Sequence, residues 1–224
     1  MPHRAAPQPA PQPAPRPDPR AAPLSPERLT AFGDGVFAIA ITLLALDITV
    51  PDGLPDAEVA DAVRDTLPSI GAYLLSFAVI GTLWLAQHRL LRQVAQVDHW
   101  LLYGHFALLA VVAALPFPTR LISEYGTTVT ATAVYAGTIT LGLALRCAMY
   151  ARLLAAPALT TPHSTPAHLR AALRDSVLLA LVFGTSIAVA FASATAAKYW
   201  WLLALPGRRL VRGRGGRRSG KPTP

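Results

Sequence analysis

Residues 28–48 read RLTAFGDGVFAIAITLLALDI. From Leu29 to Val50 the chain is apolar except for Asp34 near the start and Asp47 near the end. About 20 such residues cross the roughly 30 Å hydrocarbon core of a bilayer as a helix. Four further stretches of similar length contain no Asp, Glu, Lys or Arg: 67–87, 100–119, 125–145 and 176–197. The chain therefore reads as an all-α, polytopic membrane protein. Its composition agrees, with 53% hydrophobic and only 14% charged residues among 224, where a soluble domain is about a quarter charged. A single cysteine excludes a disulfide framework and a Cys-based zinc site.

The net charge of +8 belongs to the ends. Residues 1–26 hold ten of the 21 prolines and a net +2, in a run with little to bury, and read as a disordered cytoplasmic tail without the apolar core of a secretory signal. Residues 207–224 hold six arginines and Lys221, a basic cytoplasmic tail suited to anionic lipid or to fixing topology. Residues 27–206, the expected transmembrane domain, sum to −1, which removes the main support for nucleic-acid binding.

Lys and Arg collect in cytoplasmic loops. The connection after the first span carries Asp52, Asp56, Glu58, Asp61 and Asp65 against Arg64, and is expected outside, with DAEVADAVRD as a short helix. The next, with Arg89 and Arg92, is expected inside. So is the fourth, with Arg146, Arg152, Arg170, Arg174 and the loop APALTTPHSTP. Returning the basic tail to the cytoplasm beside the N-terminus needs an even number of crossings. Six spans follow, although the sixth has only Tyr199–Pro206 free of charge, about 12 Å of helix. The break before it is expected between Ala194 and Ala196, with Lys198, Tyr199, Trp200 and Trp201 as an interfacial belt. No internal repeat is visible, so a pore on a symmetry axis would need several copies of the chain.

An acid inside a membrane helix is by default a functional candidate. At 100° per residue, Ile39, Thr42, Leu43 and Leu46 fall within about 100° of arc, Asp34 lies roughly 130° from the centre of that arc, and Asp47 about 90° off it. Asp34 is thus expected to face other helices, and Asp47 to attract cations at a mouth or cap a loop.

The run R-x-x-x-F-G-D at Arg28, Phe32, Gly33 and Asp34 resembles the R-x-x-x-F-S-D signature of the transmembrane protein 175 family of potassium channels. The strings GTLWLAQHRLL (81–91) and HFALLAVVAALPFPTRLISEYG (105–126) are similar to the same family's pattern. Gly33 departs from it by replacing a serine. The resemblance implies a bacterial-type, six-helix subunit that forms a homotetramer in the cell membrane, both termini cytoplasmic, around a central pore lined by the first helix. Ile39, Leu43 and Leu46 would form apolar rings at the constriction, and Thr42 a ring of hydroxyls. Periodicity alone cannot select this stripe from so apolar a helix. A narrow ring of Leu or Ile excludes water and opposes an ion that must shed its shell.

The implied activity is passive potassium conduction, with potassium as the permeant ion and no cofactor or metal. The alternative is a secondary transporter or proton pathway using Asp34. The missing repeat and the lack of helices interrupted mid-membrane by Gly and Pro weigh against a transporter. No phosphate loop, nucleophile elbow or paired-His motif points to an enzyme. Trp84 and His88, one turn apart, are expected to pack and hydrogen-bond with Arg28, Phe32 and Asp34 at the inner end. Asp47 and Asp52 fall at the outer vestibule. His88, His99 and His105 lack the spacing of a metal site. Cys147 reads as a small buried hydrophobe, and Pro116 and Pro118 as a kink or end of the third span.

Overall fold

The computed structural model describes residues 25–201. The proline-rich segment, the basic tail and the end of the expected sixth span lie outside the described residues. Within them the order is α1 (Pro26–Leu43), a 3₁₀ turn (Leu44–Asp47), α2 (Asp56–Asp65), α3 (Leu67–Leu91), α4 (His99–Ala114), α5 (Pro116–Glu124), α6 (Val129–Ala155), α7 (Pro166–Ala192) and α8 (Ala194–Trp200). Among the described residues, five helices or helix pairs are long and apolar enough to cross a membrane: Pro26–Asp47, Leu67–Leu91, His99–Glu124, Val129–Ala155 and Pro166–Ala192.

Local chemistry sets the helix ends. Pro26 and Pro166 open α1 and α7, where a missing N–H costs nothing. Asp98, Thr128, Thr165 and Ser193 accept a backbone N–H at the starts of α4, α6, α7 and α8. Leu115, followed by Pro116 and Pro118, divides the third span into α4 and α5.

Several sequence boundaries need correction. The first span does not remain α-helical to Val50, because it tightens to 3₁₀ after Leu43 and ends at Asp47. The fourth begins at Val129, not Tyr125. The fifth begins at Pro166, ten residues before Ser176, so Arg170, Arg174 and Asp175 ride on its first turns. Absence of charge marks the part of a helix that lipid can cover, whereas hydrogen bonding carries the helix beyond it. Arg146 is likewise a residue of α6, not of a connection. It is 2% exposed, and its Nε donates to Ser176 Oγ at 3.1 Å across the α6–α7 seam.

α6 packs along α7 and α4, and α1 lies against α3 and α4. The main core gathers Phe37, Leu44, Ile80, Val112, Tyr135, Phe183 and Trp201 from these helices. Trp201 is not part of an interfacial belt: it is 4% exposed. It stacks at 5.2 Å on Tyr135 and 5.8 Å on Phe183, and donates to Ser186 Oγ at 2.8 Å. Tyr199 and Trp200 are exposed.

The connections 92–98 and 156–165 are joined directly. Ala95 N donates to Leu159 O at 2.8 Å, and Thr161 N to Gln93 O at 2.9 Å. Arg152 Nε donates to Asp98 Oδ2 at 2.8 Å. Partial burial raises the Asp98 carboxyl pKa, but the Leu101 N–H and the Arg152 guanidinium outweigh it and hold the group below its ordinary value.

Candidate pore helix and the polar cluster at its N-terminal end

α1 turns Leu29, Gly33, Phe37 and Ala40 into the fold, and Leu44 continues the same line. The spacing is helical, so the opposite sectors are left uncovered. Ile39 is 61% exposed, Leu43 42% and Leu46 69%, and Thr42 is exposed with them, whereas Leu44 is 1% exposed. In 3₁₀ geometry side chains at i and i+3 come nearer to eclipse than in an α-helix, which favours bringing Leu46, inside the turn, toward the line of Leu43 just before it. Thr42 Oγ1 donates to Ile39 O at 2.9 Å. Its proton is committed to the backbone, and the hydroxyl presents lone pairs outward.

Asp34 occupies a third sector. Trp84 Nε1 of α3 donates to Asp34 Oδ1 at 2.7 Å, and the Trp84 and His88 rings lie 5.9 Å apart. The rest of the expected cluster is dispersed. Phe32 sets its ring edge-on to Phe106 at 5.7 Å, and Arg28 is exposed without an ion pair to any described residue. Asp47 is half-buried within range of the Arg120 charge, and Asp52 is exposed in the turn before α2.

The sequence reading missed the fastening of α1 to α4. His105 is 1% exposed and Gln87 2%. His105 Nε2 meets Leu29 O at 3.2 Å, and its Nδ1 meets Gln87 Nε2 at 2.9 Å. The available signal was two polar side chains inside otherwise apolar spans. Among the described residues no three His, Cys, Asp or Glu side chains gather as metal ligands.

Residues 28–116 match the sequence model of the family described as the endosomal/lysosomal potassium channel TMEM175. The chain resembles this family in sequence and in fold. A protein named as a potassium channel from Streptomyces collinus is 47% identical over 98 residues, 44% of this chain and 48% of that one. Another so named, from Chamaesiphon minutus, is 44% identical over 100 residues, 44% of this chain and 49% of its own. A TMEM175 of Gallus gallus, named as an endosomal/lysosomal proton channel, is 37% identical over 112 residues, 46% of this chain and 22% of its own. These matches span about half the length of the bacterial relatives. The crystal structure of a lysosomal potassium-selective channel TMEM175 homolog from Chamaesiphon minutus superposes with a TM-score of 0.68 at 29% identity, over 84% of this chain and 98% of that one. The residues matched by the family model run from α1 through α4, and the likeness of fold extends well beyond them. The chain is a multi-pass membrane protein of that architecture.

Proposed function

We propose that the chain is the subunit of a potassium-conducting channel of the cell membrane, four copies of which surround a pore lined by α1. The observation that carries this reading is the uncovered stripe Ile39, Thr42, Leu43 and Leu46, set opposite the buried line of α1. Four such stripes facing an axis make apolar rings that an ion crosses only when the passage is wet. The Thr42 oxygens, with their protons turned to Ile39 O, add a ring of acceptors among them. Asp47 and Asp52 stand at the outer mouth, and Trp84, His88 and Asp34 at the inner end.

The topology proposed has six spans, with α8 beginning the last and both termini in the cytoplasm. Hydrogen bonds between the connections 92–98 and 156–165 support it, because they require both connections on one side of the membrane. The basic character of both connections supports the cytoplasmic side. Residues 1–26 and 207–224 are proposed as cytoplasmic tails flanking a channel domain of residues 27–206. No cofactor and no catalytic step are part of this reading.

The test is recording from the purified chain in a planar bilayer under a potassium and sodium bi-ionic gradient. Single-channel steps with a reversal potential shifted toward potassium are expected. Flux without steps, or flux tied to a second solute, would overturn the channel reading. A second reading, proton conduction, draws on the animal relatives named as proton channels. It predicts a reversal potential that follows an imposed pH gradient at equal potassium.

A further inference from the structure

α1 and α4 approach closely at Gly33, where a Cβ would lie 3.2 Å from His105 Cε1 and 3.5 Å from its Nε2. The hydrogen bonds around that contact have a forced direction. Leu29 O can only accept, so His105 Nε2 carries the proton. The imidazole is buried with no ion pair among the described residues, and a charge there would be uncompensated. Its Nδ1 therefore accepts, and the Gln87 group 2.9 Å away is the NH₂. Gln87 Oε1 must then point the other way.

That oxygen is buried and unpartnered, and so is His88 Nδ1 on the next residue. Both residues line one small cavity with Thr30, Gly33 and Asp34. Two donors around it are committed elsewhere: Thr30 Oγ1 donates to Pro26 O at 2.9 Å, and Trp84 Nε1 to Asp34 at 2.7 Å. The cavity admits the centre of a water molecule over about 10 Å³, room for roughly one.

We propose that this cavity between α1, α3 and α4 is a binding site for one ordered water, which donates to Gln87 Oε1 and bonds His88 Nδ1. Gly33, with no side chain, is one of the residues that leave this room. The inference rests on the fold and not on what the pore conducts.

The experiment compares Gly33→Ala with Gly33→Ser in the purified full chain. Both bring the same Cβ against His105, and only serine brings a donor for the orphaned oxygen. The thermal midpoint of Gly33→Ser should exceed that of Gly33→Ala by roughly 2–4 °C. Equal midpoints, or a higher one for alanine, would overturn the proposal. A density map of the wild-type chain at a resolution that shows ordered water provides the second measurement, independent of how the variants fold. A peak within hydrogen-bond reach of Gln87 Oε1 is expected, and its absence would also overturn the site.

Discussion

Trp84 Nε1 and Asp34 Oδ1 are 2.7 Å apart, so the carboxylate of the signature motif on α1 is held by an indole of α3. The bond works sideways between helices, in a sector away from the exposed stripe. A hydrogen bond to a charged group contributes about 1.5–3 kcal/mol, less where solvent reaches it.

If the proposed tetrameric channel is right, Trp84→Phe should therefore impair assembly while leaving the ion preference of the channels that form unchanged. Asp34→Asn, whose amide oxygen can still accept from Trp84, should be milder than Asp34→Leu. Size-exclusion profiles rank the variants, and bi-ionic recordings give the preference. Normal assembly of Asp34→Leu with no current would instead place the acid on the conduction path.

On the proposed pore, Leu43→Asn and Ile39→Asn should raise conductance and weaken any preference for potassium, because an amide in the ring would lower the cost of wetting it. Leu44→Asn should do neither. It sets an amide into the packing around a residue that is 1% exposed, and should reduce the yield of folded protein. A shifted reversal potential in Leu44→Asn alone would put the pore on another face.

The Asp98–Arg152 pair makes a prediction about acid. The Asp98 pKa is lowered from its ordinary 3.8 on folding, so its contribution is complete above that value and is lost as pH falls through the lower, folded one. The thermal midpoint of the wild type should drop more steeply than that of Asp98→Asn between about pH 4 and pH 2. Parallel curves would remove Asp98 from the acid response.

Trp201→Phe keeps the rings stacked on Tyr135 and Phe183 but loses the bond to Ser186. A loss of about 1 kcal/mol is expected, against about 3–5 kcal/mol for Trp201→Ala. Denaturation in detergent of matched composition would measure both. Equal losses would mean that the hydrogen bond, and not the stack, anchors the end of α8.

Much of the helical order was legible from runs without charge, because the cost of burying charge in lipid acts on composition directly. Capping and interhelical bonding were less so. Arg146 reads as a loop arginine until α6 is seen to run to Ala155 and offer it Ser176. Trp201 reads as an interfacial aromatic until Tyr135, sixty-six residues away, supplies its stack. Gly33 reads as a lost hydroxyl until His105 of α4 is seen to approach it, which gives the small residue a steric reason. Such partners are distant in the chain, and no local pattern encodes them.

The 3₁₀ finish of α1 gives the segment a tighter pitch than the helix before it. Relative to α-helix, 3₁₀ geometry turns each residue about 20° further and advances it about 0.5 Å more. Between Leu43 and Leu46 the difference accumulates to about 60° of rotation and 1.5 Å of travel. If residues 44–47 rewound to α geometry, Leu46 would swing out of line with Leu43 like the last thread of a screw. The head of that screw is tied separately, through the bond between Leu29 O and the His105 ring that Gln87 holds.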